Sequence, residues 1–290
     1  MFWKIRGRRI GPQQIQELEA RMIRGSTALV GIVGSPIAQV KSPENFNAWF
    51  AEHGQDLAML PIDLQESSLD AFLATLRGWK NLRGCVVTVP YKQLLATRLD
   101  AVSERSTALR SVNVIRREAD GRLVGDIVDG EGFLNAARRH AFEPGGKRAL
   151  VVGSGGVGSA IAYSLCEGGV SRLAIADLSA ERVESLCALL RRAFPAIEIG
   201  GGHASLADFD LVVNASPVGM GDSGELPLPE SLLESLAKHC LVADVVTSPE
   251  ITPLLAFARR MGCAVQSGPE MARAQLGNLG HFMGVTPLDI

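Results

Sequence analysis

The chain lacks the features that mark membrane, nucleic-acid and metal proteins. None of its apolar runs approaches the roughly 18 residues of a membrane span. The N-terminal stretch MFWKIRGRRIGPQQIQELEARMIRG is basic but has no apolar core, so it does not read as a secretory signal. The 29 Lys and Arg nearly balance the 31 Asp and Glu, for a net charge of −2. That removes any bulk electrostatic case for nucleic acid or an anionic membrane. The five cysteines (Cys85, Cys166, Cys187, Cys240, Cys263) are scattered, with no CxxC pair. Reduced, buried thiols and a cytoplasmic setting are therefore expected. His53, His140, His203, His239 and His281 stand alone, so no metal site is expected. Repeats and low-complexity tracts are absent. Arg8, Arg9, Arg21 and Arg24 read as a solvated basic face, and Trp3, Trp49 and Trp79 as packing residues.

What remains is an ordinary globular composition, 47% hydrophobic and 21% charged over 290 residues, enough for two modest domains. A short helix is expected at Gln13–Met22. ALVGIVGSPI then reads as a strand ending in a Gly-Ser-Pro loop. SPENFNAWFAEHG reads as a helix with Ser42 as N-cap, Pro43 at the first position and Gly54 as the stop. AMLPIDL is a second strand, SLDAFLATLRGW a helix capped by Ser67 or Ser68, and GCVVTVPYK a third strand, with KQLLATRL opening the next helix. SVNVIRREADGRLVGDI reads as two strands joined at Asp120-Gly121. After the polar break EPGGKR, strands RALVVG, SRLAIAD, FDLVVNAS, LVADVV and CAVQSG alternate with helices. That alternation predicts a parallel, doubly wound sheet. The fold class is thus α/β with two domains. GPEMARAQLGNLGHFMG is a final helix without an obvious destination.

VVGSGGVGSA places Gly153, Gly155 and Gly158 in a G-x-G-x-x-G pattern, directly after a strand and opening a helix. The first glycine permits the tight turn, the second lets a pyrophosphate approach the backbone, and the third permits close helix–strand packing. Ser154, Gly156 and Val157 complete the loop; Ser154 and Ser159 either touch phosphate or simply suit the turn. Asp177 ends the next strand, where a ribose-binding acid belongs. It would repel a 2′-phosphate, and Leu178 rather than an arginine follows it, so NAD is expected in preference to NADP, with NADP still possible. A Gly-rich turn with Asp177 merely capping a helix is the plain alternative, and SAM or FAD are other ligands for such a loop. A nicotinamide domain implies hydride transfer, which needs a proton donor at the carbonyl oxygen. Lys92, just past an apolar strand and Pro90, is either a solvated strand end or that donor. Its carboxylate partner would be Asp129 or Asp126, although an Asp-Gly helix start is also a common N-cap.

Together these stretches are similar to the shikimate dehydrogenase family. GIVGSPIAQVKSP, VTVPYK, SVN, GDIVDG, VVGSGGVG, NASPVGM and GPEMARAQ occur in the family's order over residues 29–284. The resemblance implies a substrate domain of residues 1–128 plus 267–290, a Rossmann NAD(P) domain of residues 129–266, and a cleft between them. It implies a small cyclic hydroxy acid as substrate, the 3-dehydroshikimate–shikimate reaction of aromatic amino acid biosynthesis, and a monomer or homodimer. By motif, Lys92 and Asp129 match the catalytic pair. Ser42, Thr88, Asn113 and Gln275 match substrate-binding residues, and Thr247 stands where a substrate tyrosine is usual. Asn214, Ser216 and Met220 in NASPVGM fall at the cofactor.

The departures are specific. Val40 replaces a serine that helps bind the substrate carboxylate, and Ile127-Val128 replaces Asn-Thr. Asp177-Leu178-Ser179 replaces the usual Asn-Arg-Thr that serves a 2′-phosphate. Arg110 is either a replacement carboxylate partner or a surface charge. A dehydrogenase for quinate, an aminoshikimate or another cyclic hydroxy acid is one alternative; an NAD-binding regulator without turnover is another.

Overall fold

The computed structural model describes residues 4–5, 8–9, 23–202, 205–221 and 223–290. The helix expected at Gln13–Met22 lies outside these, as do Trp3 and His203. Lys4–Ile5 and Arg8–Arg9 form a short antiparallel pair.

The first sheet contains β1 (Ala28–Gly34), β2 (Leu57–Asp63), β3 (Leu82–Val87), β4 (Ala101–Val102), β5 (Val114–Arg117) and β6 (Leu123–Asp126). Their order is β2-β1-β3-β5-β6-β4. β1 runs parallel to β2 and β3, and β5 antiparallel to β3 and β6, the hairpin expected at Asp120-Gly121. Period-2 alternation separates two cores. On one face Val30, Ile32, Val86 and Val114 pack with Phe46 and Phe50 of α1 (Ser42–Glu52). On the other, Val33, Cys85, Val87 and Ile115 pack with Leu69, Leu73 and Leu76 of α2 (Leu69–Gly78) and Leu95 of α3 (Lys92–Ala96).

Some local expectations are corrected. Lys41, not Ser42, holds the N-cap position of α1 and makes no side-chain cap bond; Ser42 is the first helical residue. A 3-10 turn at Glu66–Ser68 precedes α2, and Ser68 makes no side-chain cap bond either. The two-residue β4 and the six-residue α4 (Glu104–Leu109) are too short to show a periodicity in sequence.

α5 (Asp129–Arg139) leads into the second sheet. There β7 (Arg148–Val152), α6 (Gly156–Glu167), β8 (Arg172–Ala176), α7 (Ala180–Ala193), β9 (Glu198–Gly201), β10 (Leu211–Asn214), α8 (Glu230–Leu233), β11 (Leu241–Asp244), α9 (Pro253–Arg260) and β12 (Ala264–Gln266) follow in turn. The six strands are parallel, in the order β9-β8-β7-β10-β11-β12. This is the doubly wound arrangement whose switch point lies between β7 and β10. β9 escapes the hydrophobic pattern because half of it is glycine. Val151 and Val213 face the α6–α7 side, and Leu150 and Val212 face the α8–α9 side. Burial on both faces explains their near-continuous apolar runs.

The last helix, α10 (Gly268–Phe282), is the one whose destination the sequence leaves open. Its Met271 joins the second-sheet core, while Leu276 and Leu279 join the first-sheet core. α5 packs against both α10 and α6. Two glycines permit this. A Cβ on Gly130 would lie 2.2 Å from the Ala160 carbonyl oxygen of α6, and one on Gly132 would lie 2.8 Å from Gln275 Cγ of α10.

All five cysteines are buried and free. Burial pushes the thiols of Cys85, Cys166 and Cys240 up to about 12, so they are inert at neutral pH. Among the described residues no helix is long and apolar enough to cross a membrane. Because the contact at Gly130 is with backbone, Gly130→Ala is expected to destabilise the protein by about 1–3 kcal/mol, measured by urea denaturation.

Candidate active site

β3 ends at Val87, and the chain turns through Thr88 to Pro90 before α3 begins at Lys92. Thr88 stays on the sheet, its N–H donating to the Val33 carbonyl at 2.9 Å. The Lys92 carbonyl accepts from Val112 N–H at 2.9 Å, which ties the lysine backbone to the strand-like segment before β5. The side chain of Lys92 then reaches the first residue of α5: its Nζ donates to Asp129 Oδ2 at 2.6 Å. The side chains are 17% and 6% exposed, respectively, so the pair is largely out of water. Gln275 Nε2 of α10 donates to the other oxygen, Asp129 Oδ1. Asp129 is not the helix cap, since Val128 holds that position.

A cavity of about 310 Å³ opens over this pair. Ser42, Thr88, Asn113 and Gln275 line it, as does Thr247, which follows β11 of the other sheet. Asn113 is almost fully buried. Its carboxamide oxygen accepts from Val128 N–H at 2.9 Å, which leaves its N–H groups as donors toward the cavity. Val40 presents an apolar surface to the same space. Ile127 and Val128 are buried core residues.

Arg110 is not part of the lining. It is exposed, and it ends α4 in the left-handed region at φ 49°. Asp126, the other candidate partner for Lys92, binds Arg105 instead: Nε donates to Oδ1 at 2.8 Å and Nη2 to Oδ2 at 2.6 Å.

The glycine loop sits at the C-terminal end of β7. Gly153 has φ +100°, and a Cβ on Gly158 would lie 1.9 Å from the Gly153 carbonyl oxygen. Gly155 and Gly156 are exposed, with open space where a side chain would stand, so ligand atoms can approach the first N–H groups of α6. Gly155, Gly156 and Val157 thus form a cradle for a diphosphate at a helix N-terminus. Asp177 faces the loop: Oδ2 accepts from both the N–H and the hydroxyl of Ser154 at 2.7 Å, and Oδ1 from Ser179 N–H at 3.0 Å. Burial works against its charge, but these bonds and the nearby Arg182 outweigh it, and the carboxyl lies below its ordinary range. These residues fit a dinucleotide. Arg182, which no motif picked out, lines a depression with Ser154, Ser159 and Ser179; it stands in the first turn of α7, five residues past Asp177, where no sequence signal marked it.

The NASPVGM stretch divides. Asn214 is fully buried and its carboxamide is spent on the protein: Oδ1 accepts from Ser216 N–H and Oγ–H, and Nδ2 donates to the Val218 carbonyl and Asp244 Oδ1. It therefore shapes the loop rather than facing a ligand, as a cofactor contact would require. Ser216 is half-buried, and Met220 is 57% exposed. Asp244 beneath them is pushed up by burial despite its three hydrogen-bond donors.

Among the described residues no group of three or more His, Cys, Asp or Glu is placed to hold a metal.

The family model for the shikimate dehydrogenase substrate binding domain matches residues 32–115. A shikimate dehydrogenase (NADP(+)) of Rhodospirillum rubrum is 36% identical over 280 residues, covering 92% of this chain and 95% of that protein. The one from Moorella thermoacetica is 37% identical, covering 86% and 85%. This chain belongs to the shikimate dehydrogenase family. It is an oxidoreductase with a Rossmann NAD(P) fold beside a family substrate domain.

Solved structures agree. The 5-ketofructose reductase of Gluconobacter sp. strain CHM43 matches with TM-score 0.85 and 27% identity, covering 92% of this chain and 96% of that one. Shikimate 5-dehydrogenase from Listeria monocytogenes, in complex with shikimate and NAD, gives 0.82 and 27%, covering 89% and 93%. Quinate dehydrogenase from Corynebacterium glutamicum, in complex with NAD, gives 0.80 and 30%, covering 90% and 95%.

Burial raises the Asp126 carboxyl, but the bonds from Arg105, Ser103 and Ile127 N–H outweigh it and hold it below the ordinary range. Such a group stabilises the fold above its unfolded value, near 3.9, and that stability is lost as pH falls through the lower folded value. Asp126→Asn, starting from lower stability, is expected to lose less than the parent between about pH 5 and pH 2. Urea denaturation across that range checks this.

Proposed function

We propose that this enzyme interconverts 3-dehydroshikimate and shikimate, with NAD preferred over NADP. The observation that carries the proposal is the buried Lys92–Asp129 pair at the floor of a cavity lined by Thr88, Asn113 and Gln275. In this division residues 1–128 and 267–290 serve the substrate and residues 129–266 the dinucleotide. A bound nicotinamide supplies or accepts the hydride. The protein's part is the proton. Lys92 in its ammonium form donates to the ketone oxygen during reduction, and as a free amine it takes the alcohol proton during oxidation. Asp129 aims Nζ, and Gln275 fixes Asp129 by its second oxygen. Asn113, Thr88 and Ser42 supply neutral hydrogen-bonding groups for ring hydroxyls.

NAD preference rests on Asp177, whose charge suits a ribose diol and opposes a 2′-phosphate, and on Leu178 beside it, which is fully exposed. Arg182 supports use of NADP as well, the cofactor named for the curated relatives.

Val40 favours a second reading. Where a hydroxyl would meet a substrate carboxylate there is a methyl surface, and a lost hydrogen bond to a charged group costs about 1.5–3 kcal/mol. An uncharged polyhydroxy ketone like that named for the Gluconobacter enzyme needs no such bond, whereas quinate carries the same carboxylate as shikimate and would differ only at its ring hydroxyls. The intact Lys92–Asp129–Gln275 set weighs against a regulator without turnover.

Lys92→Met is expected to lower turnover by at least about 100-fold while dinucleotide binding, followed by fluorescence titration, stays near the parent's. Turnover within a few-fold of the parent would remove Lys92 from the chemistry. A panel of shikimate, quinate and 5-ketofructose, each with NAD(H) and NADP(H), is expected to show highest kcat/KM for shikimate with NAD. A higher value for either other substrate would establish the second reading.

A further inference from the structure

Arg105 lies in the first turn of α4, and its guanidinium uses every edge. Nε and Nη2 hold Asp126 at the end of β6, while Nη1 donates to Glu131 in the first turn of α5. Nη1 also lies 3.9 Å from Glu167 Oε2 at the end of α6. The Arg105 side chain is only 15% exposed, and Asp126 is 8% exposed. Between the two clamped carboxylates lie Ile127, Val128, Asp129 and Gly130. Asp129 thus sits on a segment held at both ends by one planar cation.

The clamp continues into α10. The other oxygen of Glu131 accepts from Asn278 Nδ2 at 3.3 Å, and Asn278 Oδ1 accepts from Asn135 Nδ2 of α5 at 2.9 Å. Asn278 is three residues past Gln275, which grips Asp129 itself. Arg105 thus connects through Glu131 to Asn278, one helical turn along α10 from the Gln275 that holds Asp129. A guanidinium fork can bind two carboxylates in fixed directions, whereas an ammonium cannot.

We propose that Arg105 is a positioning residue for the Lys92–Asp129 pair, setting the direction of Asp129 by clamping Asp126 and Glu131 on either side of it. This rests on Lys92 and Asp129 being the proton-transfer pair. Arg105 itself does not line the cavity. Its second effect is on charge: three carboxylates stand within six residues, and compensating Asp126 and Glu131 leaves Asp129 as the one for Lys92.

The test compares the full-length parent with Arg105→Met, Arg105→Lys, Glu131→Gln and Lys92→Met. Steady-state oxidation of the best substrate of the panel is measured across pH. Separately, Lys92 is labelled with pulses of acetic anhydride across pH and quantified by mass spectrometry, which needs no turnover. Arg105→Met is expected to lower kcat by about 10–100-fold with little change in KM, the mark of lost orientation. Both pH profiles should move to lower pH, because an amine deprived of its carboxylate neighbour gives up its proton more readily. Arg105→Lys should fall between the two, and Glu131→Gln should move in the same direction by less.

Unchanged profiles in folded Arg105→Met would overturn the proposal. So would a move to higher pH, which would show only the loss of a positive charge. Should Arg105→Met fail to fold, Glu131→Gln decides, and parent-like kcat and labelling there would overturn it. Activity retained in Lys92→Met would remove the proton-transfer reading and this inference together. An inactive Lys92→Met beside a parent-like Arg105→Met would remove this inference alone.

Discussion

Three carboxylates, Asp126, Asp129 and Glu131, fall within six residues at the point where the chain passes from one sheet to the other, and two of them are nearly fully buried. Buried like charges at such spacing must each find a partner or lose their charge. The fold meets that demand from three helices and one backbone N–H. α4 sends Arg105 to Asp126 and Glu131, α3 sends Lys92 to Asp129, and α10 sends Gln275 and Asn278. Just past the end of β6, the Ile127 N–H closes onto Asp126. The site grows out of this compensation: the ammonium brought to the segment also lines the cavity, as does Lys41.

The same segment governs how the two sheets are joined. α5 starts at Asp129 and lies between α6 and α10. Gly130 and Gly132 strip away the side chains that would hold those helices off. α10 then inserts apolar residues into both cores, so the position of Gln275 follows from packing at both ends of its own helix. A helix so anchored is a rigid support for a residue that orients a carboxylate. At the far end, His140 Nε2 lies 3.1 Å from Glu270, whose carboxylate also accepts from Ser267 N–H and so begins α10.

The dinucleotide side is built on a separate principle. Its glycine loop leaves backbone N–H groups open at the start of α6, and Asp177 is bound to the loop it faces. Charge at Asp177 is sustained by two backbone N–H groups and the Ser154 hydroxyl, not by an ion pair, with Arg182 as the nearby cation. The two halves therefore use different currencies of stabilisation at their sites. The substrate half relies on compensated ions between helices, and the dinucleotide half on helix N-terminal and loop N–H groups.

The alternation of apolar strands with helices, the glycine loop with Asp177 at the next strand end, and the ordered motifs from Gly31 to Gln275 were all legible in the sequence. Each is local, expressed in period, turn chemistry or spacing within one βαβ unit. What the sequence left open needed distance across the chain. It put Asp129 first and Asp126 second as the partner of Lys92, and only the fold, by placing α4 beside β6, gave Asp126 to Arg105. Arg110 was open to two readings, a surface charge or a carboxylate partner, and the end of α4 turns it outward as a surface charge. Asn214 read as a cofactor contact although Asp244, thirty residues on, uses its amide. β4, α4 and β9 were too short or too glycine-rich to show a period. The sequence by itself determined the fold class, the glycine loop and the place of Lys92 just past the end of a buried strand. The tertiary structure decided which carboxylate serves which cation, because side chains tens of residues apart acquire partners only when packing brings their helices together.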